Sequence, residues 1–277
     1  MIGLITANQP YAQLAIEDFY RRYTGVEFSP IVVVMAAYQE AANIAAVIDY
    51  IPEQIAHPKS GLNPDENDQT GNLKISTLVV VDGGNDGTDR IALEHGAYVC
   101  RLPSRQGQGV ALGVGYELAV KNGASYIVTI DADGQNDPRE IPQLLKPLLS
   151  DQADFVIASR RLGTDETTNT FRKIGVRLFS TVINLLTGQH LTDTSNGFRA
   201  LKADIFKNIT LKQSQYQTAE LIIRAIKHGY QIIECPSVWH PRSSGHSKKG
   251  NDLMFGLRYA KVITTTFLEE TFRRPPT

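Results

Sequence analysis

Two aspartates, Asp131 and Asp133, stand two residues apart directly after the apolar run Tyr126-Ile-Val-Thr-Ile130. In extended backbone, side chains at i and i+2 share one face. Carboxylates crowded in that way repel one another unless a cation joins them. Few, hard oxygen ligands suit Mg²⁺ or Mn²⁺, whose shell a substrate diphosphate can complete. Gln135, two residues on, can add an amide oxygen or hold a water. A cation at this position would neutralise a diphosphate leaving group and lower the barrier to its departure. The plainer alternative is a polar turn that ends a buried strand. An EF-hand is excluded: a loop starting at Asp131 needs Gly at its sixth position and Glu at its twelfth, and carries Asn136 and Pro142 there.

A second acidic strand end reads Val79-Val-Val-Asp82-Gly-Gly-Asn-Asp86-Gly-Thr88. Asp82 is placed to bond a ribose or a base edge, whereas Asp86 and Thr88 read as a cap for the next helix. Other nucleotide sites fail. A dinucleotide fingerprint would put GxGxxG after the first strand, where the chain has Ala36-Ala-Tyr-Gln-Glu40. The later Gly107-Gln-Gly109-Val-Ala-Leu112 breaks the pattern at its sixth position, and no GxxxxGK[ST] loop occurs.

Arg160, Arg161, Arg172, Lys173 and Arg177 follow the acidic site. Such a cluster suits an acceptor that is already anionic, which needs cations to position it; otherwise it is a solvated helix face. A hydroxyl acceptor would need a general base. Asp193 and Glu220 are the carboxylates for that role, and Asp193 equally suits anchoring a loop. His240 and His246 read as surface or phosphate-contact residues, and Trp239 as core at a strand end.

These residues need a scaffold. Residues 1–29 read as a helical lead-in. Runs 31–35, 75–81, 98–102, 126–130 and 155–159 read as buried strands, interleaved with helices over 40–55, 86–95, 109–121 and 138–149. Segment 57–72 is polar and turn-rich, a long surface loop. Beyond Arg160 come a helix over 171–186, a strand over 197–202, a helix over 218–228, a strand over 230–239 and a last helix over 253–271. Strand alternating with helix predicts an α/β fold with a doubly wound, mostly parallel sheet. Ligands then bind at the C-terminal strand ends. The last helix mixes apolar residues with Arg258, Lys261 and a basic tail; packing on its own domain or a dimer contact is favoured over a membrane surface.

The bulk properties narrow the partners. The chain has 277 residues, 42% hydrophobic and 21% charged, enough for one sizeable core. A net charge of −1 supplies no global field for nucleic acid. Two cysteines, Cys100 and Cys235, fit a reducing, cytosolic setting. Neither a secretion signal nor a transmembrane run is predicted, which leaves a peripheral position at the cytosolic membrane face open.

Taken in order, the segments Ala37-Tyr38-Gln39-Glu40-Ala-Ala-Asn43-Ile44, Val80-Val-Asp82-Gly-Gly-Asn-Asp86-Gly-Thr88, Arg105-Gln-Gly107-Gln-Gly109-Val-Ala111 and Asp131-Ala132-Asp133-Gly-Gln135 resemble family-two glycosyltransferases of the GT-A fold. So do Ala158-Ser-Arg160, Asp193-Thr-Ser-Asn-Gly197-Phe198-Arg199, Gln217-Thr-Ala-Glu220 and Arg242-Ser-Ser-Gly245-His-Ser247-Lys248. Within that group the chain looks most like the polyprenyl-phosphate (dolichyl-phosphate) mannosyl- and glucosyltransferases. The resemblance implies a nucleotide-sugar donor, with Ala37, Tyr38, Glu40, Asp82, Gly107 and Ala132 lining its pocket. It implies a metal held by Asp131, Asp133 and Gln135, and an acceptor phosphate gripped by Arg160 and Arg172. It further implies a loop carrying Arg242, Ser247 and Lys248 that closes over the diphosphate. On that basis 31–250 form the catalytic domain, after a lead-in over 1–30 and before a C-terminal helix and tail over 251–277. The chain departs from the family where Val81-Asp82-Gly83-Gly84-Asn85 replaces the usual Val-Asp-Asp-Gly-Ser, so GDP- and UDP-sugars both stay open. A soluble transferase acting on a hydroxyl, and a silent nucleotide-sugar binding protein, are the alternatives.

Overall fold

The computed structural model describes residues 9–56, 71–167, 170–242 and 252–272, with backbone alone for 170–172 and 252–255. Its centre is β1 (Ile31–Ala37), a run of small and β-branched apolar residues. Such a run forms a strand buried on both faces. It pairs in parallel with β3 (Asn72–Asp82) on one side and β5 (Tyr126–Thr129) on the other. Alternate residues feed two apolar layers. Val32, Val34, Leu78 and Val80 pack under α1 (Pro10–Arg22), α4 (Gln108–Lys121), α8 (Gln217–Lys227) and α9 (Asp252–Thr271). Val33, Met35, Val79 and Val81 pack under α2 (Ile44–Asp49), α3 (Thr88–Glu94) and α5 (Ile141–Leu149). Lead-in and last helix therefore share the main core: Phe19 and Ile263 belong to one apolar cluster.

Parallel pairings predominate in the sheet, as the sequence predicts, with antiparallel ones mixed in. Its order is β2-β3-β1-β5-β7-β6-β8, with β4 (Tyr98–Leu102) also on β3. The short β7 (Arg199–Lys202) runs antiparallel to both β5 and β6 (Phe155–Asp165). It brings the segment 193–198 back across the strand tips. β6 continues past the predicted end at 159, through an irregularity between Ser159 and Thr164, and pairs along its length with β8 (Ile232–Trp239). The predicted helix over 40–55 shrinks to α2, because Pro52 lacks an N–H and disfavours helix in the residue before it. Residues Gln54–Ala56 form β2, antiparallel to β3. The predicted helix over 138–149 starts with a 3₁₀ turn, Pro138–Glu140. A one-turn helix, α7 (Ile205–Asn208), was not predicted. Helix α6 (Thr170–Thr187) matches its prediction within a residue at each end. The surface loop predicted over 57–72 falls mainly on 57–70, outside the described residues. Among the described residues no helix is long and apolar enough to cross a membrane.

Close approach of α4 to the sheet fixes the floor of the site, and Gly115 permits it. A Cβ at 115 would lie inside the van der Waals radius of Val34 Cγ1 and 3.4 Å from Val80 Cγ2. Gly115→Ala is expected to lower stability by about 1–3 kcal/mol despite the better helix propensity of alanine. The midpoint of urea unfolding measures this, and Val34→Ala in the same chain should recover part of the loss.

Candidate active site

The parallel strands β1, β3 and β5 end on one edge of the sheet, and the acidic residues gather there. Asp131 lies two residues past the end of β5, opposite Gly197, two residues before β7. A Cβ at 197 would lie 2.9 and 3.0 Å from the two carboxylate oxygens of Asp131, so only glycine leaves that carboxylate its place. Gln108 Nε2, from the first residue of α4, donates to Asp131 Oδ1 at 2.9 Å. Asp133 is 8% exposed. Its Oδ1 accepts from Gln135 N at 3.1 Å, and its Oδ2 accepts from Arg242 Nη2 at 2.5 Å. Burial, with the charge of Asp131 next, pushes the Asp133 carboxyl up to about 6, although Arg242 acts against the shift. Arg242 also donates through Nη1 to Glu40 Oε1 at 3.3 Å, so one guanidinium joins the end of β1 to the acidic turn. Crowded carboxylates with one raised in this way form a donor set that fits Mg²⁺ or Mn²⁺. Among the described residues no cluster of three or more His, Cys, Asp or Glu closes a metal shell from the protein alone. Substrate oxygens would therefore complete it.

Gln135 sits beside this pair but is tied down. Its Nε2 donates to His240 O at 3.1 Å, and its carbonyl accepts from His240 N at 2.8 Å, which pins the end of β8 to the acidic turn. His240 Nδ1 lies 2.8 Å from Glu166 Oε2. Ala37 and Ala132 are buried in the apolar layer under α2 and α5.

On the nucleoside side two carboxylates tie neighbouring loops together. Asp82 was expected to meet a ribose or base. It is 3% exposed, and its oxygens accept from Gln106 N at 2.6 Å and Gly107 N at 2.9 Å. It therefore holds the loop after β4 against the end of β3, and burial raises its pKa. Asp86 was expected only to cap a helix. It accepts from Thr88 N at 3.2 Å and also from Ala41 N at 3.0 Å, joining the loops after β3 and β1. Glu40 N donates to Thr88 Oγ1 at 3.0 Å, which closes the same junction. Tyr38 lies at the mouth with the Arg105 guanidinium 4.3 Å from its ring centre. Gln39 between them holds a φ of 54°, a backbone conformation that costs energy outside glycine.

The predicted phosphate and base residues pair with one another. Arg160 donates through Nε to Asp193 Oδ2 at 2.6 Å and through Nη2 to Asp193 Oδ1 at 2.7 Å and Ser195 Oγ at 2.7 Å. Its guanidinium stacks 4.8 Å from the Trp239 ring centre, so Trp239 is both core and platform. Burial would raise the Asp193 carboxyl, but the Arg160 hydrogen bonds and charge hold it below the usual range. Glu220 is fully buried, accepting from Lys212 N at 2.8 Å, Gln213 N at 2.9 Å and Arg224 Nε at 3.1 Å. Both carboxylates hold loops and arginines in place. Next to Arg160, a groove of about 280 Å³ is lined by Arg161, Asp165, Lys173, Val176 and Arg177. The Arg172 side chain, Ser247, Lys248 and His246 lie outside the described residues.

Sequence reasoning gave no role to Gln108, Gly197 or Arg199. Arg199 is 1% exposed, donates through Nη2 to Thr218 Oγ1 at 2.9 Å, and its Nη1 has no hydrogen-bond partner among the described residues. The available signal was that Gly197 and Arg199 sit in the matched segment 193–199.

Removing one partner of a buried ion pair strands the other charge. Asp193→Ala should therefore cost about 3–5 kcal/mol at neutral pH. The folded pKa of Asp193 is depressed, so its contribution is complete above the unfolded value and fades as pH falls through the folded one. Urea unfolding of wild type and variant at pH 7 and at acid pH should show the gap shrink with acidification.

Comparison with known proteins agrees with this geometry. Residues 32–210 match the description Glycosyl transferase family 2. The undecaprenyl-phosphate mannosyltransferase of Micrococcus luteus is 30% identical over 188 residues, 64% of this chain and 76% of that protein. The dolichyl-phosphate hexose transferase of Haloferax volcanii is 29% identical over 251 residues, 90% of this chain and 99% of that protein. The fold is shared with glucosyl-3-phosphoglycerate synthase of Mycobacterium tuberculosis, solved with Mn²⁺, UDP and glucosyl-3-phosphoglycerate. The TM-score is 0.62 at 20% identity, over 92% of this chain and 83% of that one. Motifs, sheet and acidic strand tip converge: the chain belongs to glycosyl transferase family 2 and has its GT-A fold.

Proposed function

We propose that the protein transfers a hexose, mannose or glucose, from a GDP- or UDP-sugar to a polyprenyl phosphate with inversion, at the cytosolic face of a membrane. The observation that carries this reading is the juxtaposition of the acidic strand tip with a basic groove. Asp131 is close enough for its charge to act on Arg160, and Arg160 lines the groove. Between them the turn from Asp133 to Asn136 bridges to Trp239, the ring under Arg160.

Each end has its own chemistry. Asp131 and Asp133 would hold Mg²⁺ or Mn²⁺ together with the sugar diphosphate; when bound, the ion neutralises charge on the departing diphosphate. Arg242, between Glu40 and Asp133, supplies a further cation at that end. Tyr38 at the mouth offers a ring face to the nucleoside. Arg161, Lys173 and Arg177 face the groove and would seat an anionic acceptor, aided by Arg172 on the same helix. A phosphate oxygen is a nucleophile without deprotonation, so no general base is needed. That suits a site whose two candidate bases, Asp193 and Glu220, are both held in ion pairs with buried arginines. One displacement from the face opposite the leaving diphosphate inverts the anomeric centre. The names of the Micrococcus and Haloferax relatives support a lipid-phosphate acceptor, and the Mn²⁺ and UDP of the fold neighbour support the donor.

With labelled nucleotide-sugar, Mn²⁺ and polyprenyl phosphate, wild type should send label into the organic phase. Asp133→Asn should lower that rate at least ~100-fold. Arg161→Gln and Arg177→Gln should raise the KM for the acceptor more than they lower kcat. Full activity of Asp133→Asn would overturn the metal assignment. Label found only on water-soluble acceptors would favour hydroxyl chemistry, and tight donor binding without turnover would indicate a silent binding protein.

A further inference from the structure

Helix α6 buries Ile183 and Ser180 against the domain and turns an apolar stripe outward. Ile174 is 56% exposed, Leu178 58% and Leu185 81%. Steps of four and seven place all three on one side of a helix. Leu162, on the extension of β6, is 51% exposed. Large apolar side chains gathered on an outer face mark a contact surface, whereas single ones do not. Basic residues frame this one: Arg161 and Arg177 are exposed and Lys173 is half-buried. An apolar stripe edged by cations is the pattern of a helix that lies in the interface of an anionic bilayer.

Position decides the occupant. Lys173, Val176 and Arg177 line the groove from α6, and Arg161 lines it from β6, so the stripe borders the groove's rim. A polyprenyl phosphate carries its phosphate at the membrane surface with its tail in the hydrocarbon. To reach the groove without leaving the bilayer, that phosphate needs the rim to rest on the lipid. Helix α9 is the other place to look, since Leu257 and Leu268 are exposed on it and Phe272 just past its end. Its inner face, Tyr259, Val262 and Ile263, is spent on the core, and Lys261 and Thr264 interrupt the outer one. Among the described residues, α9 supplies none to the groove.

We propose that the outer face of α6, with Leu162, seats the protein on an anionic bilayer and presents the groove to lipid-borne phosphate. This rests on the acceptor reading above for its purpose, but the contact is measurable without catalysis. Wild-type protein without substrates should co-sediment with vesicles of phosphatidylcholine containing about 30% phosphatidylglycerol, and less so at high salt. The double variant Ile174→Asp/Leu178→Asp should partition at least ~10-fold less. Both residues are exposed, so its circular dichroism and urea midpoint should match wild type. Leu14→Asp, at an exposed apolar position of α1, should bind vesicles as wild type does. The double variant should also lose transfer to vesicle-borne polyprenyl phosphate while keeping transfer to a short, water-soluble isoprenyl phosphate. Equal vesicle binding by wild type and double variant would overturn the proposal. So would loss of binding in Leu268→Asp alone, which would place the contact on α9, or a dimer that the double variant dissolves in a protein that ignores vesicles. Failure of wild type to use any prenyl phosphate, with stripe-dependent vesicle binding intact, would refute the acceptor reading and uphold the surface.

Discussion

Repulsion between two carboxylates organises the site. Asp131 and Asp133 are brought to one strand tip by β5 and held there by Gly197, which leaves room beneath one, and by Arg242, which neutralises the other in part. Burial first, and the charge of Asp131 next, still raise Asp133 to about 6. In the proposed reading, a divalent cation with a diphosphate would relieve the remainder. The same crowding would favour a charged donor that arrives with its cation.

The surrounding network keeps that tip in place. Arg242 reaches from the end of β8 to Glu40 at the end of β1, and Gln135 ties the acidic turn to His240. Asp82 fastens the loop after β4 to β3. Arg160 and Asp193 lock the segment before β7, so that Gly197 lies against Asp131. Polar groups at these strand ends mostly satisfy one another, which stiffens the floor before any ligand arrives. Arg199 and Asn136 are exceptions: both are buried, with one terminal nitrogen of Arg199 and both side-chain amide atoms of Asn136 lacking a hydrogen-bond partner among the described residues.

The sequence made the strands legible because β1, the second half of β3 and most of β5 are buried on both faces and read as apolar runs. Asp131 and Asp133 were legible for the same reason, as charges placed where such a run stops. Strand direction was not. β7 has four residues, and nothing local tells whether a strand that short runs with or against its neighbours. Helix α2 was overextended because periodicity outlasts the point where Pro52 stops the helix. Partners were the least legible part. Arg160 meets Asp193 across 33 residues, and Arg242 meets Asp133 across 109. Each charge therefore looked available for a ligand when read alone, and the bonds from Gln106 N and Gly107 N to Asp82 were equally invisible in sequence.

The most direct measurement of the central claim is anomalous diffraction from crystals grown with Mn²⁺ and a nucleoside diphosphate. A manganese peak between the Asp131 and Asp133 carboxylates, touching the diphosphate, is the predicted result. Well-ordered nucleotide with both side chains turned away and no manganese between them would contradict the account.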